Sequence, residues 1–351
     1  MRNIICDSLI QLGYLFNDLG KGIDYKLSYK VCSEQEYLSF NEIIINHHRN
    51  NPWFTESNIR KSLTALSLMC AEKELLAFSK KIEFTDKPYK IAIIMAGNIP
   101  LVGFHDFLCV LLSGNKSLIK LSSDDNLLFP AFIDFFISIN PNAKSLIEFI
   151  TPPLKNIDAV IATGGNNASV YFEKYFGDLP HIFRKNRTSL AIITGDETKE
   201  ELTKLGADVF DYFGRGCRSV SHLIIHHSFN LNVFFESILP YGDIINHNKY
   251  GNNYDYNRAI FLMNQLPFLD NNFVLLNESS ELFSPLSMIN YHRYNHFDEI
   301  KEYIDKNQEN IQVIVGKNDS FIPFGESQSP SLNDFADNIN TLEWLEDLNK
   351  K

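Results

Sequence analysis

From Tyr89 onward the sequence alternates short apolar runs with stretches of helical periodicity, and that alternation constrains the fold more than any other feature. Lys90-Ile91-Ala92-Ile93-Ile94-Met95 runs into Ala96-Gly97-Asn98. A helical pattern follows, then Ser117-Leu118-Ile119-Lys120-Leu121, then a helix opened by Asp124-Asp125 and continuing through Phe136. Ala159-Val160-Ile161-Ala162-Thr163 ends at Gly164-Gly165, and Ser189-Leu190-Ala191-Ile192-Ile193 adds a further run to the same sheet. Strands that are apolar throughout and separated by helices predict a parallel sheet covered on both faces.

A second α/β unit is expected from about Gly195, with a strand over Leu223 to His227, a helix over Phe297 to Lys306 and a last strand over Ile311 to Val315. The segment before Tyr89 reads as helical, with apolar spacings at Leu9, Leu12, Leu15 and Phe16 and again at Leu63, Leu66, Leu68 and Met69; Thr55 is placed to cap the second run. The Asn- and Tyr-rich stretch from Asn246 to Asn257 reads as an exposed loop. The tail carries Pro323-Phe324-Gly325, a polar linker and a short helix over Thr341 to Leu345. The expected domains are 1–194, a helical segment plus a nicotinamide-cofactor-binding domain; 195–320, a catalytic thiol domain; and 321–351, a C-terminal arm.

A net charge of -11 argues against a nucleic-acid surface, which needs a basic footprint. The five cysteines are scattered with no CxxC, and the His47-His48 and His226-His227 pairs are adjacent rather than spaced as metal ligands, so no metal is expected. The amphipathic start has no basic leader or cleavage site, and the most apolar stretch, Ile99 to Ser113, holds His105 and Asp106 and is too short to cross a bilayer. Reduced thiols in a cytoplasmic protein are expected.

One cysteine differs from the rest. Cys217 lies in Tyr212-Phe213-Gly214-Arg215-Gly216-Cys217-Arg218-Ser219, and the apolar run Leu223-Ile224-Ile225 follows. Two glycines leave the backbone bare beside the thiol, and Arg215 and Arg218 supply the positive charge that favours thiolate. Asn98, at the end of a buried strand, offers a carboxamide that with the Cys217 N–H would make an oxyanion hole. Gly164-Gly165, between strand and helix, suits the approach of a phosphate to a helix N-terminus.

In this order the segments resemble the aldehyde dehydrogenase superfamily, and within it the LuxC-type acyl-CoA reductases. Ala96-Gly97-Asn98-Ile99-Pro100 is similar to the Trp-Asn-Phe-Pro segment whose Asn lines the oxyanion hole. Leu112-Ser113-Gly114-Asn115-Lys116 through Lys120-Leu121-Ser122 is similar to Ala-Gly-Asn…Lys-Pro-Ser, which makes Lys120, with Ser122 and Ser123, a contact to the adenosine ribose. Ile161 to Gly165 looks like Phe-Thr-Gly-Ser beside the cofactor, and Gly214-Arg215-Gly216-Cys217 looks like Gly-Gln-x-Cys. Glu281-Leu282-Phe283-Ser284-Pro285 resembles Glu-x-Phe-Gly-Pro, implying that Glu281 holds the nicotinamide ribose and Phe283 packs near the nicotinamide.

The resemblance implies two Rossmann-like parallel-sheet domains with a cleft between them and a C-terminal oligomerisation arm, in a homodimer or higher homo-oligomer. It implies NAD(P)H-dependent reduction of an acyl-CoA or acyl-protein thioester to an aldehyde through S-acyl Cys217. NADP(H) is expected to be preferred and NAD(H) accepted, because Ser123 stands where relatives often carry a ribose-chelating Glu, and Asp124 is expected to turn away to cap the next helix. The alternatives are a cysteine-dependent acyltransferase or thioesterase without nicotinamide chemistry, and a catalytically silent relative. Hydrolytic relatives carry a Glu that activates water; the corresponding Phe183-Arg184-Lys185-Asn186-Arg187 has no carboxylate, which disfavours hydrolysis. His222 stands where many relatives have Arg; a proton-transfer role is weighed against that of a strand histidine with local hydrogen bonds, and the second is favoured.

Overall fold

The computed structural model describes residues 2–25 and 32–350; Met1, 26–31 and Lys351 lie outside that description. The chain forms two compact units, Met1–Lys185 with Pro330–Lys351, and Asn186–Ser329.

The first unit opens with four helices, α1 (Arg2–Gly20), α2 (Glu34–Asn46), α3 (Glu56–Met69) and α4 (Glu72–Ser79). Thr55 caps α3 as its position predicts, accepting the Asn58 N–H. α1 buries Ile5, Leu9, Leu12, Phe16 and Leu19, and at Gly13 it lies so close to Cys70 that a Cβ would meet that residue's Cβ at 2.5 Å. Then come β1 (Lys90–Ile94), α5 (Phe104–Leu112), β2 (Lys116–Lys120), α6 (Leu128–Ile139), β3 (Ile147–Phe149), β4 (Ala159–Thr163), α7 (Asn166–Phe176) and β5 (His181–Arg184). The strands make one parallel sheet in the order β3-β2-β1-β4-β5. Ile94 pairs with Lys120 on one side and Ala162 on the other, so β1, β2 and β4 end level. The strand order reverses between β1 and β4, the point where open α/β sheets bind ligands outside their carboxyl ends.

The second unit holds β6 (Thr188–Ile193), α8 (Lys199–Phe210), β7 (Val220–His226), α9 (Leu231–Ser237), α10 (Asn248–Met263), β8 (Leu269–Asp270), β9 (Leu275–Glu278), β10 (Met288–Tyr294), α11 (Phe297–Asn307) and β11 (Ile311–Val315). Its sheet runs β11-β6-β7-β10-β9-β8, parallel except for the β8–β9 pair. The run expected as the last strand of the first sheet is thus β6 of the second, and this unit starts one strand earlier than the expected boundary at 195. A strand buried on both faces shows that it is internal without showing in which sheet. The expected loop from Asn246 to Asn257 is mostly helix α10. Tyr250, Tyr254 and Asn257 recur at helical spacing on its buried side, and the His247 ring accepts the Tyr250 N–H.

Residues 330–351 return to the first unit, with α12 (Thr341–Asn349) at the end. The expected 321–351 segment is therefore divided between the units. Leu342, Leu345 and Leu348 join the first unit's core. Arg184, at the end of β5, forks onto Asp106 of α5 (Nη2 to Oδ1 2.6 Å, Nε to Oδ2 3.1 Å) and also reaches the Thr341 hydroxyl at 2.9 Å. Burial acts to raise the Asp106 pKa, but the guanidinium holds it below the usual range. Arg184 thus ties β5 to α5 and to the start of the C-terminal helix.

Candidate active site

The first unit gathers Asn98, Lys120, Ser122, Ser123, Gly164 and Gly165 on one sheet edge. Asn98 follows β1, Lys120 ends β2 and is continued by Ser122 and Ser123, and Gly164-Gly165 follow β4. Gly97 is required beside Asn98, because a Cβ there would meet Ser122 Oγ at 2.5 Å and Asp124 Cβ at 2.8 Å. Beyond it, the Ser62 hydroxyl donates to the Pro100 carbonyl (2.8 Å), and the Leu101 N–H donates to the buried Asp125 carboxylate (2.9 Å). Burial pushes that carboxyl up to about 6. Asp124 does not cap α6, which begins only at Leu128; its side chain stays exposed beside Ser122.

Gly165 sets the start of α7 and is exposed, and a Cβ there would have nothing within 4 Å. An 11-residue helix opening onto free space, with Lys120 half-buried at the end of β2, fits a dinucleotide: N–H groups for a phosphate and a cation for the ribose side.

In the second unit the Cys217 turn precedes β7 at the N-terminal edge of the sheet. Tyr212, Phe213 and Gly214 take φ of 55°, 61° and 72° in succession, a left-handed run that only the glycine enters without cost. The Phe213 ring lies against the His247 ring, with centroids 4.2 Å apart. A tight turn then closes, with Ser219 N–H to Gly216 O at 3.0 Å and Gly216 N–H to Ser219 Oγ at 3.2 Å. The Ser189 hydroxyl of β6 donates to the Cys217 carbonyl at 3.0 Å. Arg218 donates through Nε to the Ser327 carbonyl. Of the five cysteines, Cys217 alone is partly exposed; Cys6, Cys32, Cys70 and Cys109 are buried, and burial pushes their thiols up.

Glu281 and Phe283 precede β10, the strand beside β7, so they share an edge with Cys217. Both side chains are exposed, while their backbone is clamped: Asn290 Nδ2 donates to both carbonyls at 2.9 Å. His222 is the local, strand-bound histidine that was favoured. It is fully buried, with Nδ1 donating to the Glu281 carbonyl (3.0 Å) and Nε2 accepting from His292 Nδ1 (2.7 Å). Burial, reinforced by His292, pushes its pKa down to about 3, so it stays neutral. Both ring nitrogens are engaged in these local hydrogen bonds. Asn290, which clamps Glu281 and Phe283, and Asp208, which accepts the Gly325 and Ser327 N–H groups, escape the sequence reading; a lone carboxylate on the otherwise apolar buried face of α8 was the available signal for Asp208.

Residues 83–234 match the family model described as acyl-CoA reductase (LuxC). A long-chain acyl-protein thioester reductase from Vibrio harveyi is 24% identical over 269 residues, covering 67% of this chain and 54% of that protein. One of the same name from Aliivibrio fischeri is 32% identical over 102 residues, 25% of this chain and 21% of that protein. The chain thus spans about half the length of the first relative and about a fifth of the second. A putative aldehyde dehydrogenase from Burkholderia cenocepacia superposes with a TM-score of 0.62 at 13% identity, over 89% of this chain and 75% of that one. An indole-3-acetaldehyde dehydrogenase complexed with NAD+ gives 0.61 at 12%, over 90% and 72%. These likenesses show an aldehyde-dehydrogenase fold. Among the described residues, no helix is long and apolar enough to cross a membrane.

Proposed function

We propose that this LuxC-type member of the aldehyde dehydrogenase superfamily reduces an acyl thioester, on CoA or on a carrier protein, to an aldehyde through S-acyl Cys217. The observation that carries the proposal is the placement of the one partly exposed cysteine on a strained, glycine-bounded turn beside β7, on the same edge as Glu281 and Phe283. Cys217 attacks the thioester carbonyl carbon as thiolate, the carbon–sulfur bond to the carrier breaks, and the carrier thiolate leaves. The Cys217 N–H and the Asn98 carboxamide donate to the oxygen on which negative charge develops. Lys120, Ser122, Ser123, Gly164 and Gly165, with Glu281 and Phe283, would hold a nicotinamide cofactor, which when bound would supply hydride for the acyl carbon. Cys217 is expelled as thiolate when the aldehyde forms. No carboxylate follows β5, where Arg184 is occupied by Asp106, and this supports slow hydrolysis of the acyl-enzyme.

NADPH is the preferred reductant in this proposal. The uncharged Ser123 favours a 2′-phosphate near Lys120, while the exposed Asp124 carboxylate opposes it and leaves room for NADH. Ser123→Glu should lower the ratio of kcat/KM for NADPH over NADH; a wild-type ratio favouring NADH would reverse the assignment. The activity itself is tested with a panel of acyl-CoAs and NADPH, followed at the nicotinamide absorbance. Acyl-CoA-dependent oxidation of NADPH that vanishes in Cys217→Ala is expected, and release of free acid without NADPH oxidation would overturn the reading in favour of a thioesterase.

A further inference from the structure

Asp208 has no place in that chemistry, yet it is fully buried and both of its oxygens are taken. Oδ2 accepts the Gly325 N–H at 2.6 Å and Oδ1 the Ser327 N–H at 2.9 Å, across a sequence separation of more than a hundred residues. Gly325 is left-handed (φ 88°), and a Cβ there would press on Lys204 Cβ at 3.1 Å, so the 325–327 turn lies tightly on α8. From this turn two contacts return to the thiol loop. The Ser327 carbonyl accepts from Arg218 Nε, and Gln328 Nε2 donates to Ser219 Oγ at 3.2 Å. That same hydroxyl oxygen accepts the Gly216 N–H, so the loop is closed on either side of Cys217.

Burying a carboxylate is costly, and here desolvation pushes its pKa up to about 6 despite its N–H partners. We propose that Asp208 is a positioning residue for the nucleophile: through the 325–328 turn it fixes Arg218 and Ser219, and so the orientation and electrostatic surroundings of Cys217. The proposal rests on the reading of Cys217 as the reactive thiol and adds a residue that touches neither substrate nor cofactor. An Asn at position 208 keeps one acceptor and turns an amide NH2 toward the other N–H, which releases one end of the turn. The Ser327 carbonyl then no longer holds Arg218, and the thiolate loses a fixed positive neighbour.

The test is the rate of iodoacetamide labelling at each cysteine, mapped by peptide mass, in Asp208→Asn, Arg218→Lys, the double variant and Gln328→Ala, with Tm measured alongside. Cys217 should label about tenfold more slowly in Asp208→Asn, as expected for a displaced reactive group, while the four buried cysteines stay unlabelled. Because the two residues act in one chain, the double variant should be no slower than the slower single one. A purely structural role predicts the opposite pattern, a lower Tm with faster labelling of Cys217 as its loop opens. A wild-type rate at Cys217 in folded Asp208→Asn, or losses that multiply in the double variant, would overturn the proposal. If Asp208→Asn does not fold, Gln328→Ala decides: about threefold slower labelling supports it, by partial loss of the same support, and a wild-type rate defeats it. Labelling needs no acyl substrate, so absence of an acyl adduct on the wild type would defeat the reductase reading while leaving this test intact.

Discussion

The turn after β1 and the turn before β7 are both short, yet they are held by different forces. Around Asn98 close packing leads: Gly97 lies against Ser122 with no room for a Cβ, and beyond it the Ser62 hydroxyl and the Asp125 carboxylate fasten Pro100 and Leu101. Around Cys217 it comes from buried polar groups, with Ser189, Ser327 and Gln328 fastening the loop and Asn290 and His222 fastening its neighbour. The first edge also keeps one side open, at Gly165, which suits the phosphate contact proposed there. The second is over-determined, as suits the thiol proposed as the nucleophile.

Substitutions on each side can break this contrast. The largest effect expected is on the first edge: Asn98→Ala should slow acylation on the order of a hundredfold, because one preorganised donor is lost where charge develops. Stopped-flow acylation measures it, and a rate near wild type would remove Asn98 from the site. Gly165→Ala should weaken nicotinamide binding about tenfold, roughly 1.4 kcal/mol, and leave Tm unchanged, since its Cβ would enter open space. Gly97→Ala should lower Tm, since its Cβ would strike Ser122 and Asp124. Titration of both variants with cofactor, alongside thermal melts, separates an open cradle from a packed one; equal Tm losses would erase the distinction.

On the second edge the smaller effect is one of pH. His222 binds its proton with a pKa of about 3 when folded against 6.5 unfolded, so the unfolded chain holds more protons in that window. Its contribution therefore favours folding above 6.5 and is lost as pH falls toward 3. The buried Asp208 and Asp125 carboxyls, raised from 3.8 to about 6, act with the opposite sign, so the wild-type profile alone does not isolate the histidine. The stability difference between wild type and His222→Asn should shift in the variant's favour by about 1 kcal/mol for each pH unit of acidification below 6.5. Denaturant melts at several pH values test it, and a pH-independent difference would mean that His222 is not held neutral.

The same contrast explains what the sequence could disclose. The first edge was legible because its parts sit directly after apolar runs: Asn98 after β1, Lys120 and Ser122 at the end of β2, Gly164-Gly165 after β4. The Cys217 octet was legible for a similar reason, with its glycines adjacent to the thiol. Its supports were not, because Asp208 meets Gly325 and Ser327 only once the sheet has formed. β6 was placed in the wrong sheet because a strand buried along its whole length has no mark of its partners. α10 was mistaken for a loop because Asn and Tyr are weak helix formers, and only the spacing of Tyr250, Tyr254 and Asn257 shows its buried side. The family resemblance supplied the roles of Glu281 and Phe283; nothing in their local sequence does.

The most direct test of the account is the mass of the intact chain after mixing with an acyl-CoA in the absence of NADPH. The wild type should gain one acyl group, mapped to Cys217 and discharged on addition of NADPH, while Cys217→Ala should gain none and keep its Tm and its cofactor binding. An acyl adduct that persists in Cys217→Ala, or reduction that continues without that thiol, would contradict it.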